Sequence, residues 1–293
     1  MSSPLKERSL GLVWATTAIS IWSGSLVMLR LGVTTSLNAY DLTALRVGVA
    51  ALLLAPVIYK RGLTPGDNGV GGALTMAVCF GAPYILLISL GLKTAPASAA
   101  GSLNPGIMAI VSVLLGWKIF GDKMGPVRIL GVGVILIGIS FFSGFLSTGM
   151  PSTGHFILIF TGVMWASYAL IARQSGIPAL HATAIVAVGS AILYLPIYAV
   201  ALPKQLADAP TADIVMQAVF QGILVSVVAV FAFNRSAEQL GPITGATLPA
   251  LIPVVTLGLG AVVLAEKVDT IGIISSVLIS AGVAMTLSRS DKK

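Results

Sequence analysis

Trp22-Ser23-Gly24-Ser25-Leu26-Val27-Met28-Leu29-Arg30 has a counterpart 143 residues further on, Trp165-Ala166-Ser167-Tyr168-Ala169-Leu170-Ile171-Ala172-Arg173. Both stretches open on tryptophan and close on arginine. A second match lies at almost the same spacing: Gly101 falls on Gly245, Pro105 on Pro249, and Gly121-Asp122-Lys123 on Ala265-Glu266-Lys267, 144 residues apart. Two independent matches at nearly one offset mark an internal duplication. It divides the chain into halves spanning 1–147 and 148–293.

The solvent of these halves follows from composition. Of the 293 residues 56% are hydrophobic and only 9% charged, where a soluble domain carries about 25% charged residues. The mean hydropathy is +0.99. Ten segments, at roughly 9–32, 39–59, 69–91, 94–117, 126–144, 153–175, 180–202, 213–235, 241–265 and 269–288, are apolar and long enough to cross a bilayer. Segments of that length satisfy their backbone groups in hydrocarbon as helices. The first run follows Lys6 and Arg8, as in a signal peptide, but extends from about Ser9 to Leu31, so it reads as a span that stays attached. The expected fold is an all-α polytopic membrane protein of ten transmembrane helices.

Five spans per half is an odd number, so the second half enters the membrane from the opposite side. The halves are then an inverted-topology repeat about a pseudo-two-fold axis in the membrane plane. This is an architecture of secondary transporters, whose site lies near the midplane and opens alternately to each side. Lys6, Arg8, Lys60, Arg61, Lys118, Lys123, Arg128, Arg173, Arg235, Arg289, Lys292 and Lys293 gather on the side of the N-terminus. Only Arg30, Arg46, Lys93, Lys204 and Lys267 belong to the other. The positive-inside rule therefore places both termini in the cytoplasm. The expected location is a cell inner (plasma) membrane. The same distribution accounts for the net charge of +7 without nucleic acid, since the basic residues form no stripe. Cys79 is the single cysteine, which rules out an intramolecular disulfide or a Cys-based metal cluster and suits a small packing residue.

Several polar and aromatic residues are out of place against lipid. Trp14 and Trp117 sit near span ends, as interfacial tryptophans do. Trp22 and Trp165 lie mid-span at equivalent positions, and either face each other across a central cavity or pack as bulky core residues. Thr161 and Tyr168 share a helical face with Trp165, and Phe80 shares one with Tyr84. Asn104 precedes Pro105 in the fourth span, and Pro249 and Pro253 interrupt the ninth. Interrupted spans at matching places point to a transport site, with a plain kink as the alternative. Gln217 and Gln221 are four residues apart in the eighth span, with Asn234 nearer its end. Gln221 is deep enough to bind a substrate or to tie helices together. Arg46, with Asp41 five residues earlier, either holds the outer end of the bundle, binds a substrate anion or snorkels; Arg30 and Arg173 read as snorkelling. Asp and Glu are missing from the central third of every span, and His155 and His181 sit near ends. The acid–base or metal-ligand cluster of a membrane enzyme is therefore not expected, nor a cofactor, nor a buried carboxylate as proton carrier. Gly131, Gly133, Gly138, Gly258 and Gly260 read as sites of close helix approach.

Trp22-Ser23-Gly24-Ser25, then Asp41-Leu42-Thr43-Ala44-Leu45-Arg46 and an Ala-rich run, resembles the opening of EamA-type proteins of the drug/metabolite transporter superfamily. The resemblance continues through Pro105, the acidic–Lys pair closing the fourth span and the Gly-rich fifth span, and is repeated in the second half. Asp122 departs from the glutamate usual there, which Glu266 retains. The resemblance implies a central cavity and export or exchange of small metabolites. Within the family the chain looks most like YddG-type exporters of aromatic and other amino acids. Trp22, Tyr84, Asn104, Trp165, Tyr168 and Gln221 are the expected cavity lining. Drugs and nucleotide sugars are alternative cargoes, and a channel-like pore is the alternative of another class. One five-plus-five chain can hold a complete pathway as a monomer.

Overall fold

A computed structural model describes residues 4–142, 152–240 and 248–287. Gly245, Arg289, Lys292 and Lys293 lie outside the described residues. The helices are α1 (Pro4–Thr34), α2 (Ala39–Arg61), α3 (Gly69–Phe80), α4 (Ala82–Gly91), α5 (Ala97–Phe120), α6 (Pro126–Phe142), α7 (Thr153–Ser175) and α8 (Ala179–Ala201). There follow α9 (Thr211–Gln217), a π-helical stretch (Ala218–Val228), α10 (Ala229–Leu240), a short 3-10 turn (Leu248–Leu251), α11 (Ile252–Leu264) and α12 (Thr270–Thr286). Seven spans are long and apolar enough to cross a membrane by themselves, and three shorter apolar helices, α6, Pro249–Leu264 and α12, complete ten. Leu52, Val70, Val200 and Val262 are 75–88% exposed, a surface suited to hydrocarbon and not to water.

Local chemistry sets the helix ends. Asn38 and Asp41 form a capping box at the start of α2, with the Asp41 amide donating to Asn38 Oδ1 at 2.8 Å. Asp269 caps α12 by accepting from the Gly272 amide at 2.7 Å. The third span is broken between α3 and α4, where Pro83 lacks an amide proton and Gly81 lacks a side chain. Ser190 of α8 fills the gap: its hydroxyl donates to Ala77 O at 3.2 Å and accepts from the Ala82 amide at 3.1 Å. A Cβ at Gly81 would occupy the place of that hydroxyl. A break inside the first half is thus satisfied by a residue of the second, as hydrocarbon demands.

The pseudo-two-fold axis is visible in the packing. The second helix of one half packs on its counterpart, α2 on α8, and the fifth on its counterpart, α6 on α12. Off the axis, α5 packs on α7 and its counterpart α11 packs on α1. The interior begins with α5, whose residues Ala97–Gly106 are all buried. The α6–α12 contact is made through glycine. A Cβ on Gly131 would lie 2.9 Å from Gly282 O, and one on Gly282 would lie 2.8 Å from Gly131 O. Gly133 and Gly258 have open space beside them instead, so neither marks a close approach.

Candidate functional site

Between the halves lies a cavity of about 450 Å³. Trp22, Tyr84, Asn104, Trp165 and Tyr168 all line it. One wall is a cluster of rings centred on Phe80, stacked on Tyr168 at 4.4 Å with an interplanar angle of 7°. Trp165 also stacks on Phe80, at 5.8 Å, and Tyr84 is tilted against it at 5.0 Å. Trp22 lies away from this cluster, tilted against Phe233 at 5.2 Å. Asn104 is buried and its amide group is oriented by two bonds: Oδ1 accepts from Tyr84 Oη at 3.2 Å, and Nδ2 donates to Thr161 Oγ1 at 2.7 Å. That chain ties α4, α5 and α7 together at mid-depth.

Gln221 does not line the cavity. It is fully buried and clamped to α1: Nε2 donates to Ser25 O at 3.0 Å and Oε1 accepts from Ser25 Oγ at 2.9 Å. In this conformation it ties the π-helical stretch to α1. Gln217 likewise donates to Met28 O at 2.7 Å. Gln217 and Gln221, four residues apart, share one face, and that face meets α1 and not the cavity. Arg46 takes the place instead and faces the cavity, with Nη1 3.3 Å from Gln221 Oε1. Asp41 has no part in holding it. The Asp41 carboxylate is buried at the end of α2, where it accepts from Tyr198 Oη at 2.6 Å and the Gln205 amide at 3.0 Å. Ser25, Arg46 and Phe233 join the expected lining, and only Arg46 carried a signal in the sequence, a charge inside a span.

The two ends of the cavity differ. On the face away from the N-terminus the halves are bonded across their boundary. Ser36 Oγ donates to Asp213 Oδ2 at 2.6 Å, Asn38 Nδ2 to Pro203 O at 3.2 Å, and the Ala97 amide to Glu266 Oε1 at 2.7 Å. Arg30 Nη1 donates to Leu92 O, and Leu29, Ile88 and Ala100 beneath it are buried. Toward the basic face the lining runs through Ala172, Thr183 and Phe233 to Ala179, which is exposed. Bonds cross the boundary on the basic face as well, Asn68 Nδ2 to Ser175 Oγ at 2.8 Å among them, so it is the exposure of the lining that distinguishes the ends: sealed beneath Arg30 and open to the surface at Ala179.

Arg30 and Arg173 do not merely snorkel. Arg173 makes a bidentate pair with Asp122, Nη1 to Oδ2 at 2.6 Å and Nη2 to Oδ1 at 2.9 Å, and also lies over the Phe120 ring at 4.2 Å. On the opposite face Arg30 Nε approaches Glu266 Oε1 at 4.0 Å. These are equivalent residues of the two repeats, each pair joining one half to the other. Their supporting turns match too. Gly121 and Ala265 both have positive φ, 67° and 52°, and the next amide donates to Gly116 O or Gly260 O at 3.2 Å. A Cβ at Gly116 or Gly260 would come within 2.7 Å of the acidic group above it.

Hydrogen bonds from Arg173 hold the Asp122 carboxyl below the usual carboxylate range, aided by the positive charges of Arg173 and Arg128 and opposed by partial burial. A depressed folded-state pKa contributes stability above the unfolded value and loses it as pH falls through the folded one. The melting-temperature difference between wild type and Asp122→Asn in detergent should therefore be constant from about pH 5 to 8. It should narrow only below about pH 4. A difference that changes between pH 6 and 7 would assign the contribution to another group.

Known proteins bear on this architecture. A crystal structure at 20% sequence identity superimposes with a TM-score of 0.64, over 94% of this chain and 96% of its own, and shows the same fold. The uncharacterized protein PA1977 of Pseudomonas aeruginosa is 27% identical over 146 residues, and the chain spans about half the length of that relative, 49%, in the match. The EamA-like transporter family matches twice, at residues 9–144 and again at 152–288. With ten helices in two inverted sets and both sets carrying the family pattern, the chain belongs to the EamA-like transporter family of membrane transporters.

Proposed function

We propose that the protein exports small metabolites, amino acids with aromatic or other neutral side chains, by alternating access of the two halves around the central cavity. The observation that carries this reading is the aromatic wall of Phe80, Tyr84, Trp165 and Tyr168, facing a space of about 450 Å³ sealed at one end only. Such a volume and a mostly apolar lining suit a compact organic molecule. The basic excess assigns the N-terminal face to the cytoplasm of a plasma-membrane protein, so the cavity faces inward in this conformation. The paired Arg–carboxylate contacts, both present in this conformation, join the halves on each face and would have to rearrange as the halves move. A channel would need a path continuous through the sealed end.

Counterflow in proteoliposomes tests the reading. With unlabelled phenylalanine inside, labelled phenylalanine or tryptophan outside should accumulate transiently and with saturation. Flux that rises linearly with concentration would favour a pore. No flux of any amino acid from folded protein would sink this cargo and bring drugs and nucleotide sugars forward. Repeating the assay across a pH gradient separates facilitated diffusion from proton exchange.

A further inference from the structure

Arg46 is the only Lys or Arg among the described residues that line the cavity, and no described Asp or Glu lines it. A guanidinium has five N–H donors. Here one hydrogen bond engages it, from Nη1 to Gln221 Oε1 at 3.3 Å, and no carboxylate lies within ion-pair distance among the described residues. Gln221 is fixed by its two bonds to Ser25, so its carbonyl oxygen points at Arg46 without neutralising it. Arg46 stands seven residues into α2, roughly 10 Å from the helix start at 1.5 Å per residue, which places it at the sealed end of the cavity. A positive charge held inside a membrane protein without a counter-ion is costly, and such charges mark substrate pathways. The missing partner is an anion, and the planar fork of arginine matches a carboxylate in two parallel hydrogen bonds.

We propose that Arg46 is the carboxylate-binding residue of the cavity and that the carboxylate, not the amine, is the group by which cargo is recognised. This rests on the carrier reading of the same cavity and sharpens its substrate class to organic carboxylates with an apolar or aromatic body. The ring of the cargo lies against the wall centred on Phe80, and its carboxylate reaches Arg46. An ammonium group finds no described acidic residue in the lining to pair with. Arylalkyl carboxylates that lack the amine therefore bind as phenylalanine does. Arylalkyl amines are repelled by Arg46.

Binding and flux together test this. Intrinsic fluorescence reports occupancy, since Trp22 and Trp165 both line the cavity, and 3-phenylpropionate, phenylalanine and phenethylamine are the ligands. The first two should bind the purified wild-type protein and the third should not. Arg46→Gln should weaken both carboxylates at least tenfold and erase the preference over the amine. Arg46→Lys, which keeps the charge without the fork, should fall between. Melting temperatures of both variants establish that they fold, and if Arg46→Gln fails to fold, the ligand series on wild type and Arg46→Lys decides. Equal binding of phenethylamine and 3-phenylpropionate, no binding of either carboxylate, or wild-type carboxylate affinity in folded Arg46→Gln would each overturn the proposal. Arg46-dependent carboxylate binding without counterflow would support the site while overturning the carrier reading.

Discussion

Trp165→Ala should raise the half-saturating concentration for aromatic cargo roughly tenfold in the counterflow assay, with the protein remaining folded. The indole is partly exposed to the cavity and stacks on Phe80 at 5.8 Å. Removing it takes away a flat face of the wall and loosens the ring beneath. An aromatic contact contributes about 0.5–1.5 kcal/mol beyond its buried area, and about 1.4 kcal/mol is a tenfold change in affinity. Trp165→Phe keeps a ring and should recover much of the loss. Trp14→Ala supplies the contrast, because Trp14 meets Phe231 edge-on and does not line the cavity. An unchanged half-saturating concentration in Trp165→Ala would separate the wall from cargo binding.

Two glycines two residues apart, Gly131 and Gly133, should respond to alanine differently. A methyl at Gly131 would meet Gly282 O at 2.9 Å, Met285 Cβ at 2.9 Å and the Thr286 amide nitrogen at 3.0 Å. Two of those three atoms are backbone, so the whole of α12 must retreat from α6. Overpacking of this kind costs about 1–3 kcal/mol. Gly131→Ala should lower the melting temperature in detergent and reduce the yield of folded protein. Gly133 has nothing within 4 Å, and there alanine replaces a flexible helix-interior residue without a clash. Gly133→Ala should be neutral or stabilising by up to about 1 kcal/mol. Equal effects at the two positions would show that helix propensity, and not the α6–α12 contact, controls this part of the fold.

Much of this architecture could be read along the chain, because the relevant physics is local. Span length and apolarity fix the number of crossings, and the repetition of Trp22 to Arg30 as Trp165 to Arg173 fixes the inversion. Mid-depth Trp22, Tyr84, Asn104, Trp165 and Tyr168 converge on one cavity because a polar or amphipathic group at that depth turns away from lipid. Direction around a helix axis was harder to infer. Gln221 has the right depth, but the face it shares with Gln217 meets α1, at Ser25. Asp41 and Arg46, close in sequence, point to different neighbours, Tyr198 and Gln221. The bond between Arg173 and Asp122 joins residues 51 apart in different halves. Nothing in the spacing of either repeat announces that arginines of one will meet acids of the other.

Those crossed pairs join the two halves on both faces of one conformation. A duplicated chain whose halves were identical would rest equally in its two orientations, with neither side of the membrane preferred. Here one face carries aspartate after a left-handed glycine, and the other carries glutamate after a left-handed alanine. On the proposed carrier reading, the preference between orientations would depend on how unequal the two contacts are, a bidentate pair at 2.6 and 2.9 Å on one face and a 4.0 Å approach on the other. A change to one contact alone would then tilt that balance, and the tighter Arg173–Asp122 pair has the more to lose.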